Sequence, residues 1–153
     1  MIMDPKIRRL SSDHQMKVFC IVSDERAFRS KSPAIFSAVI KRTGIKGVYV
    51  PFMVQPSNIG AAMQSLRVLN IAGANITVPY KEAVVPHLDI LSEGAKIIGS
   101  VNTIVRDGEK LKGYNTNAIG FMDTLDHIGF DVAGKSALVF GSAPVAVVFL
   151  LLH

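Results

Sequence analysis

Asn75-Ile76-Thr77-Val78-Pro79-Tyr80-Lys81 is the stretch on which the fold turns. An apolar run reaches a proline, which fixes its own φ and pushes Val78 towards extended geometry. The spacing predicts a strand over 74–78 that stops in a stiff turn, with Thr77 and Lys81 presented from its end. A lysine held at a strand end beside hydroxyl and amide groups suits proton transfer. Taken alone, the same lysine also reads as a solvated residue after a turn.

Working outward, the apolar run at 17–22 (KVFCIV) predicts a first strand, and 47–52 a second. The helical spacing of 33–43 starts at Pro33, with Ser32 as its N-cap, and ends at Gly44. Helices are also predicted over 56–69, over 81–91 with Pro86 as a kink or boundary, and over 116–128, capped by Asn115 or Thr116. Short strands at 100–106 and 110–114 flank the turn Asp107-Gly108, and another is expected at 135–140. Phe19, Cys20 and Ile21 read as core strand, Val84, Val85, Leu88 and Leu91 as a core-facing helix stripe, and His87 as a half-buried helix residue. Strands alternating with helices predict an α/β fold, with a largely parallel twisted sheet flanked by helices.

The 153 residues suffice for one domain with a core, or one domain plus part of another. A single cysteine, Cys20, rules out an internal disulfide and suits a reducing cytoplasm. Four scattered histidines give no zinc spacing, and Asp123 and Asp126 lack a third partner, so no metal site is expected. The longest apolar run, 145–152, falls short of the ~20 residues that span a bilayer, so no membrane partner is expected. The net charge of +5 favours anionic partners. Lysines and arginines are dispersed without interleaved aromatics, which points to a small carboxylate or phosphorylated cofactor rather than nucleic acid.

Two later segments carry the same polar chemistry: Gly99-Ser100-Val101-Asn102-Thr103 and Gly113-Tyr114-Asn115-Thr116-Asn117. With 75–81 they resemble, in order and spacing, the shikimate dehydrogenase family, whose pattern is Asn-x-Thr-x-Pro-[Phe/Tyr]-Lys, Gly-x-Val-Asn-Thr and Gly-x-Asn-Thr-Asp. Ser30-Lys31-Ser32-Pro33 is similar to the family's Ser-x-Ser-Pro motif. The resemblance covers roughly 17–141 and implies an aminoacid dehydrogenase-like N-terminal domain. It implies NADPH-dependent reduction of 3-dehydroshikimate to shikimate, in aromatic amino acid biosynthesis. Ser30, Ser32, Thr77, Lys81, Asn102 and Asn117 would contact shikimate, 3-dehydroshikimate or quinate, and Lys81 with Asn117 would form the catalytic pair.

Two departures stand out. The family's aspartate is Asn117 here, and the helix position where the family carries a His or similar polar residue is Phe36. In the loop ahead of the serines, Arg29 would aid a carboxylate, whereas Asp24 and Glu25 would oppose it. The resemblance divides the chain into a polar arm (1–16), a substrate domain (17–115), a linking helix (116–134) and the incomplete start of an NADP-binding domain (135–153). In that last part Gly141 is the one glycine of the nucleotide loop present, and Pro144 stands where the loop offers N–H groups to phosphate. Three readings follow: an oxidoreductase of this family, a module that binds its ligand without turnover, or a half that needs a homodimer or partner chain to cover the apolar tail.

Overall fold

The computed structural model describes residues 16–136; residues 1–15 of the predicted arm and residues 137–153, with most of the strand expected at 135–140 and Gly141, lie outside the described residues. Six strands form one sheet: β1 (Lys17–Ser23), β2 (Gly47–Met53), β3 (Ile71–Ile76), β4 (Ile90–Leu91), β5 (Thr103–Asp107) and β6 (Lys110–Tyr114). Across the sheet their order is β2-β1-β3-β5-β6-β4. β1 runs parallel to both β2 and β3, and β4 runs parallel to β6. β5 is antiparallel to β3 and to β6. The parallel character foreseen from the sequence therefore holds at β2-β1-β3, and the β5–β6 hairpin makes the sheet mixed. Gly108, at φ 59°, supplies the left-handed residue of the tight turn that closes this hairpin on the Asp107–Lys110 pair.

Four α-helices accompany the sheet: α1 (Ser32–Thr43), α2 (Ile59–Val68), α3 (Glu93–Ile98) and α4 (Asn117–His127). α1 connects β1 to β2 and α2 leads back past β1 to β3, on opposite faces. Alternation along β1 shows this directly. Cys20 and Val22 pack in a core with Ile59, Met63 and Leu66 of α2, while Phe19 and Ile21 pack with Ile40 of α1 and Tyr49. Fully burying a side chain such as Met63 contributes ~1.5–3 kcal/mol. Among the described residues β2 is an outer strand of the sheet, paired only with β1, and carries Pro51 near its middle.

Several local expectations need correction. Ser32 is not the N-cap of α1. Lys31 holds that position without a side-chain cap bond, and Ser32 lies inside the first turn. The Ser32 N–H is instead taken by Ser30 Oγ at 3.1 Å, a short local bond that serines make readily. Residues 81–91 form no α-helix. They run as turns, a 3-10 helix at Val85–His87 and then β4, because Pro86 removes a helical N–H and disfavours the helical conformation before it. The apolar residues there are still core: Val84 is fully buried, and Val85, Leu88 and Leu91 pack against it. His87 is exposed rather than half-buried. α3 went unforeseen, although Ser92 caps it by accepting from the Ala95 N–H and Gly99 ends it at φ 68°. β3 starts at Ile71, earlier than expected. Gly73 there does not mark a loop: a Cβ would lie 3.1 Å from the Ile104 carbonyl oxygen, so the glycine allows β5 to approach.

Candidate functional site

In a sheet whose strand order reverses at β1, the crevice outside the carboxyl ends of the strands is where ligands bind. β1 and β3 both end there. Ser23, the last residue of β1, is fully buried and its Oγ donates to the Val78 carbonyl at 2.6 Å. The Thr77 N–H donates to the Val22 carbonyl at 3.2 Å. The Tyr80 N–H closes a turn onto the Thr77 carbonyl at 2.9 Å, across a cis Val78–Pro79 bond. Tyr80 is buried, and its hydroxyl donates to the Val54 carbonyl. Thr77 and Lys81 thus leave a turn fixed to β1 on one side and to the chain after β2 on the other.

The far wall comes from the β5 and α4 starts. The Lys81 carbonyl accepts from the Val101 N–H at 2.8 Å, which places Lys81 beside Asn102. Asn102 Oδ1 accepts from the Thr116 N–H (3.1 Å) and the Thr103 hydroxyl (3.0 Å). Asn102 Nδ2 donates to Asn117 Oδ1 at 2.7 Å and to Thr116 Oγ1 at 3.0 Å. Asn115, buried, accepts from the Asn117 N–H at 3.1 Å and donates to the Ser100 carbonyl at 3.0 Å. Asn117 therefore opens α4 with its backbone and side chain both held. Among the described residues, neither the Lys81 ammonium nor Asn117 Nδ2 has a hydrogen-bond or ion-pair partner.

Ser30 and Ser32 approach from the α1 side. Asp24 caps the 3-10 helix Glu25–Arg29 by accepting from the Arg26 N–H. The Arg26 side chain bonds the same carboxylate and holds it well below the usual carboxylate range. The negative charge that the sequence set against a bound carboxylate is thus already paired. Sequence reasoning missed the residue that joins this side to the rest, Tyr49. Its hydroxyl donates to Asn75 Oδ1 at 2.7 Å, with Ser32 close by. Burial raises the Tyr49 phenol well above its ordinary value, the nearby Cys20 adds to this, and the Ser32 hydroxyl opposes it. Burial also pushes the Cys20 thiol up to about 12. Asn75 pairs across the sheet with Thr103, so a polar string runs from Tyr49 through Asn75 to Thr103, Asn102 and Asn117. Phe36 stacks on the Tyr49 ring, with centroids 4.8 Å apart and planes 6° apart, so the aromatic at this helix position braces the string. Beside it, an apolar cleft of about 280 Å³ reaches Asn75 and Thr103, but its walls include none of Thr77, Lys81 or Asn117.

The sequence model of the shikimate dehydrogenase substrate binding domain matches residues 25–104, just over half of the chain. The chain belongs to the shikimate dehydrogenase family. The NADP(+) shikimate dehydrogenase of Moorella thermoacetica is 45% identical over 117 residues, 76% of this chain and 40% of the relative. Among solved structures, shikimate dehydrogenase 1 of Peptoclostridium difficile superposes with a TM-score of 0.82 at 34% identity, covering 89% of this chain and 50% of that one. The Thermus thermophilus shikimate 5-dehydrogenase, solved in complex with NADP(H) and shikimate, superposes with a TM-score of 0.79 at 31% identity, covering 87% and 50%. The chain thus spans about half the length, or less, of these shikimate dehydrogenases. The matched segment contains Ser30, Ser32, Thr77, Lys81 and Asn102 and stops before Asn117. Among the described residues, no helix is long and apolar enough to cross a membrane.

Proposed function

We propose that this chain is the substrate-holding part of an NADP-dependent shikimate dehydrogenase, and that its crevice binds shikimate and 3-dehydroshikimate. The observation that carries the reading is the crevice itself. Lys81 follows the turn at the end of β3, and Asn117 is bonded to Asn102, whose carbonyl accepts from the Ile76 N–H at the end of that strand; these ties, and the free polar groups of both side chains among the described residues, support the reading. Ser30 and Ser32, at the start of α1, supply hydroxyls for the ring carboxylate, and the first turn of the helix adds a favourable field. Thr77 and Asn102 face the ring hydroxyls. The nicotinamide, when bound, supplies the hydride. Lys81 then gives a proton to the alkoxide oxygen as it forms, and its positive charge stabilises the charge developing there. The segment assigned to the nucleotide includes Gly141 and belongs to 135–153.

Asn117 favours a second reading, ligand binding with little turnover. An asparagine cannot ionise, so it cannot take up a proton from the lysine as a carboxylate would. Calorimetric titration of the chain with shikimate, without nucleotide, tests the site. Saturable binding with Kd between micromolar and millimolar, about −4 to −8 kcal/mol, is expected. It should weaken at least about tenfold in Lys81→Met. Absence of binding at millimolar shikimate by a folded chain refutes the reading.

A further inference from the structure

The orientation of the Asn117 amide is fixed by its neighbours. A backbone N–H only donates, so the Asn102 atom facing the Thr116 N–H must be its oxygen. Nδ2 of Asn102 therefore faces Asn117, and the Asn117 atom that meets it at 2.7 Å must be the acceptor Oδ1. Asn117 is left with Nδ2 as its free group, and an amide nitrogen offers two donors and no acceptor. Lys81, on the same crevice, likewise has donors only. An aspartate at this place would keep one oxygen on Asn102 and turn a second acceptor outward; Asn117 turns outward a donor.

We infer that the Lys81–Asn117 pair selects the ring ketone over the ring alcohol, so that this chain is a keto-form binder. This rests on the reading of the crevice as a shikimate site. A carbonyl oxygen accepts two hydrogen bonds and carries no hydrogen, so it satisfies both donors. The corresponding alcohol brings a hydroxyl hydrogen into a position lined by donors, and leaving such a group unpaired costs on the order of tenfold or more in affinity.

The test is calorimetric titration of the chain, Asn117→Asp and Asn117→Ala with shikimate and with 3-dehydroshikimate. The native chain is expected to bind the ketone at least about tenfold tighter than the alcohol. Asn117→Asp should abolish or reverse that ratio, and Asn117→Ala, which also frees Asn102, should weaken the ketone more than the alcohol and so narrow the ratio. Circular dichroism confirms that each variant is folded; if Asn117→Asp is not, the native ratio and Asn117→Ala decide. Equal affinity of the native chain for both ligands, or an unchanged ratio in the variants, overturns the inference while the site reading stands. Binding of neither ligand overturns both.

Discussion

Gly113 sits on β6 between Leu91 and Ile104, one residue ahead of the Tyr114–Asn117 segment that builds the far wall of the site. A Cβ added there would lie 2.6 Å from Leu88 Cδ1, 2.8 Å from Val101 Cγ2 and 3.0 Å from Leu91 Cδ2. Contacts this short force movement. Leu88 and Leu91 can turn their methyls, but Val101 is fully buried and β-branched, so it has no second rotamer to take without moving its backbone. That backbone bonds Lys81 on one side and leads into Asn102 on the other. Gly113→Ala is therefore expected to destabilise the chain by ~1–3 kcal/mol, the range for overpacking a tight core, which lowers the thermal midpoint by roughly 4–12 °C. Gly120→Ala is the control. It makes the same chemical change in α4, where an added Cβ meets nothing within 4 Å, and is expected to stabilise by ~0.5–1 kcal/mol. Because both variants stiffen the unfolded chain alike, their difference isolates packing. Urea unfolding of the three proteins, with shikimate titration of each, is the assay. A Gly113→Ala protein as stable as the native one, or as the control, would refute the close packing under the site.

Tyr49→Phe keeps the ring stacked on Phe36 but strips the donor from Asn75 Oδ1, and should cost ~1–2 kcal/mol in urea unfolding while weakening shikimate binding. An unchanged affinity would mean that the polar string from Tyr49 to Thr103 does not set the site. Asp89 accepts from the Leu111 N–H and pairs with Arg67, which lowers its pKa in that order of importance. A carboxyl depressed in the folded state adds stability above its unfolded pKa, about 3.9, and loses it as pH falls through the folded value. Asp89→Asn should therefore flatten the loss of stability below about pH 4 in acid titrations followed by circular dichroism. An acid limb identical to that of the native chain would show that the pair contributes nothing there.

The parts of this molecule that sequence reasoning reached were those set by local rules. Pro33 and Gly44 bracket α1, and the alternation of Phe19, Cys20, Ile21 and Val22 marks a strand covered on both faces. Lys81, Asn102 and Asn117 were singled out because each sits in a short motif; the structure bonds Asn102 to Asn117 and ties the Lys81 carbonyl to the Val101 N–H. What escaped depended on neighbours distant in the chain. Val84, Leu88 and Leu91 have helical spacing, but they reach the core from turns and from β4 because Pro86 forbids the helix. Gly73 gives no sign in the sequence that the Ile104 carbonyl lies against it. Tyr49 carries no local mark at all. Its partner Asn75 is 26 residues away, and only the parallel register of β2, β1 and β3 brings their side chains together.

The proline in β2 has a consequence for how this sheet meets other chains. β2 is seven residues long and, among the described residues, is hydrogen-bonded to the sheet on one side only. An open strand of that length is a template on which foreign strands anneal. Pro51 has no N–H to offer, so an incoming strand finds a gap in the ladder near the middle of β2 and cannot zip along it. At the opposite margin β4 presents just two residues, too few to nucleate pairing. Both borders of the sheet are thereby quenched against end-on polymerisation.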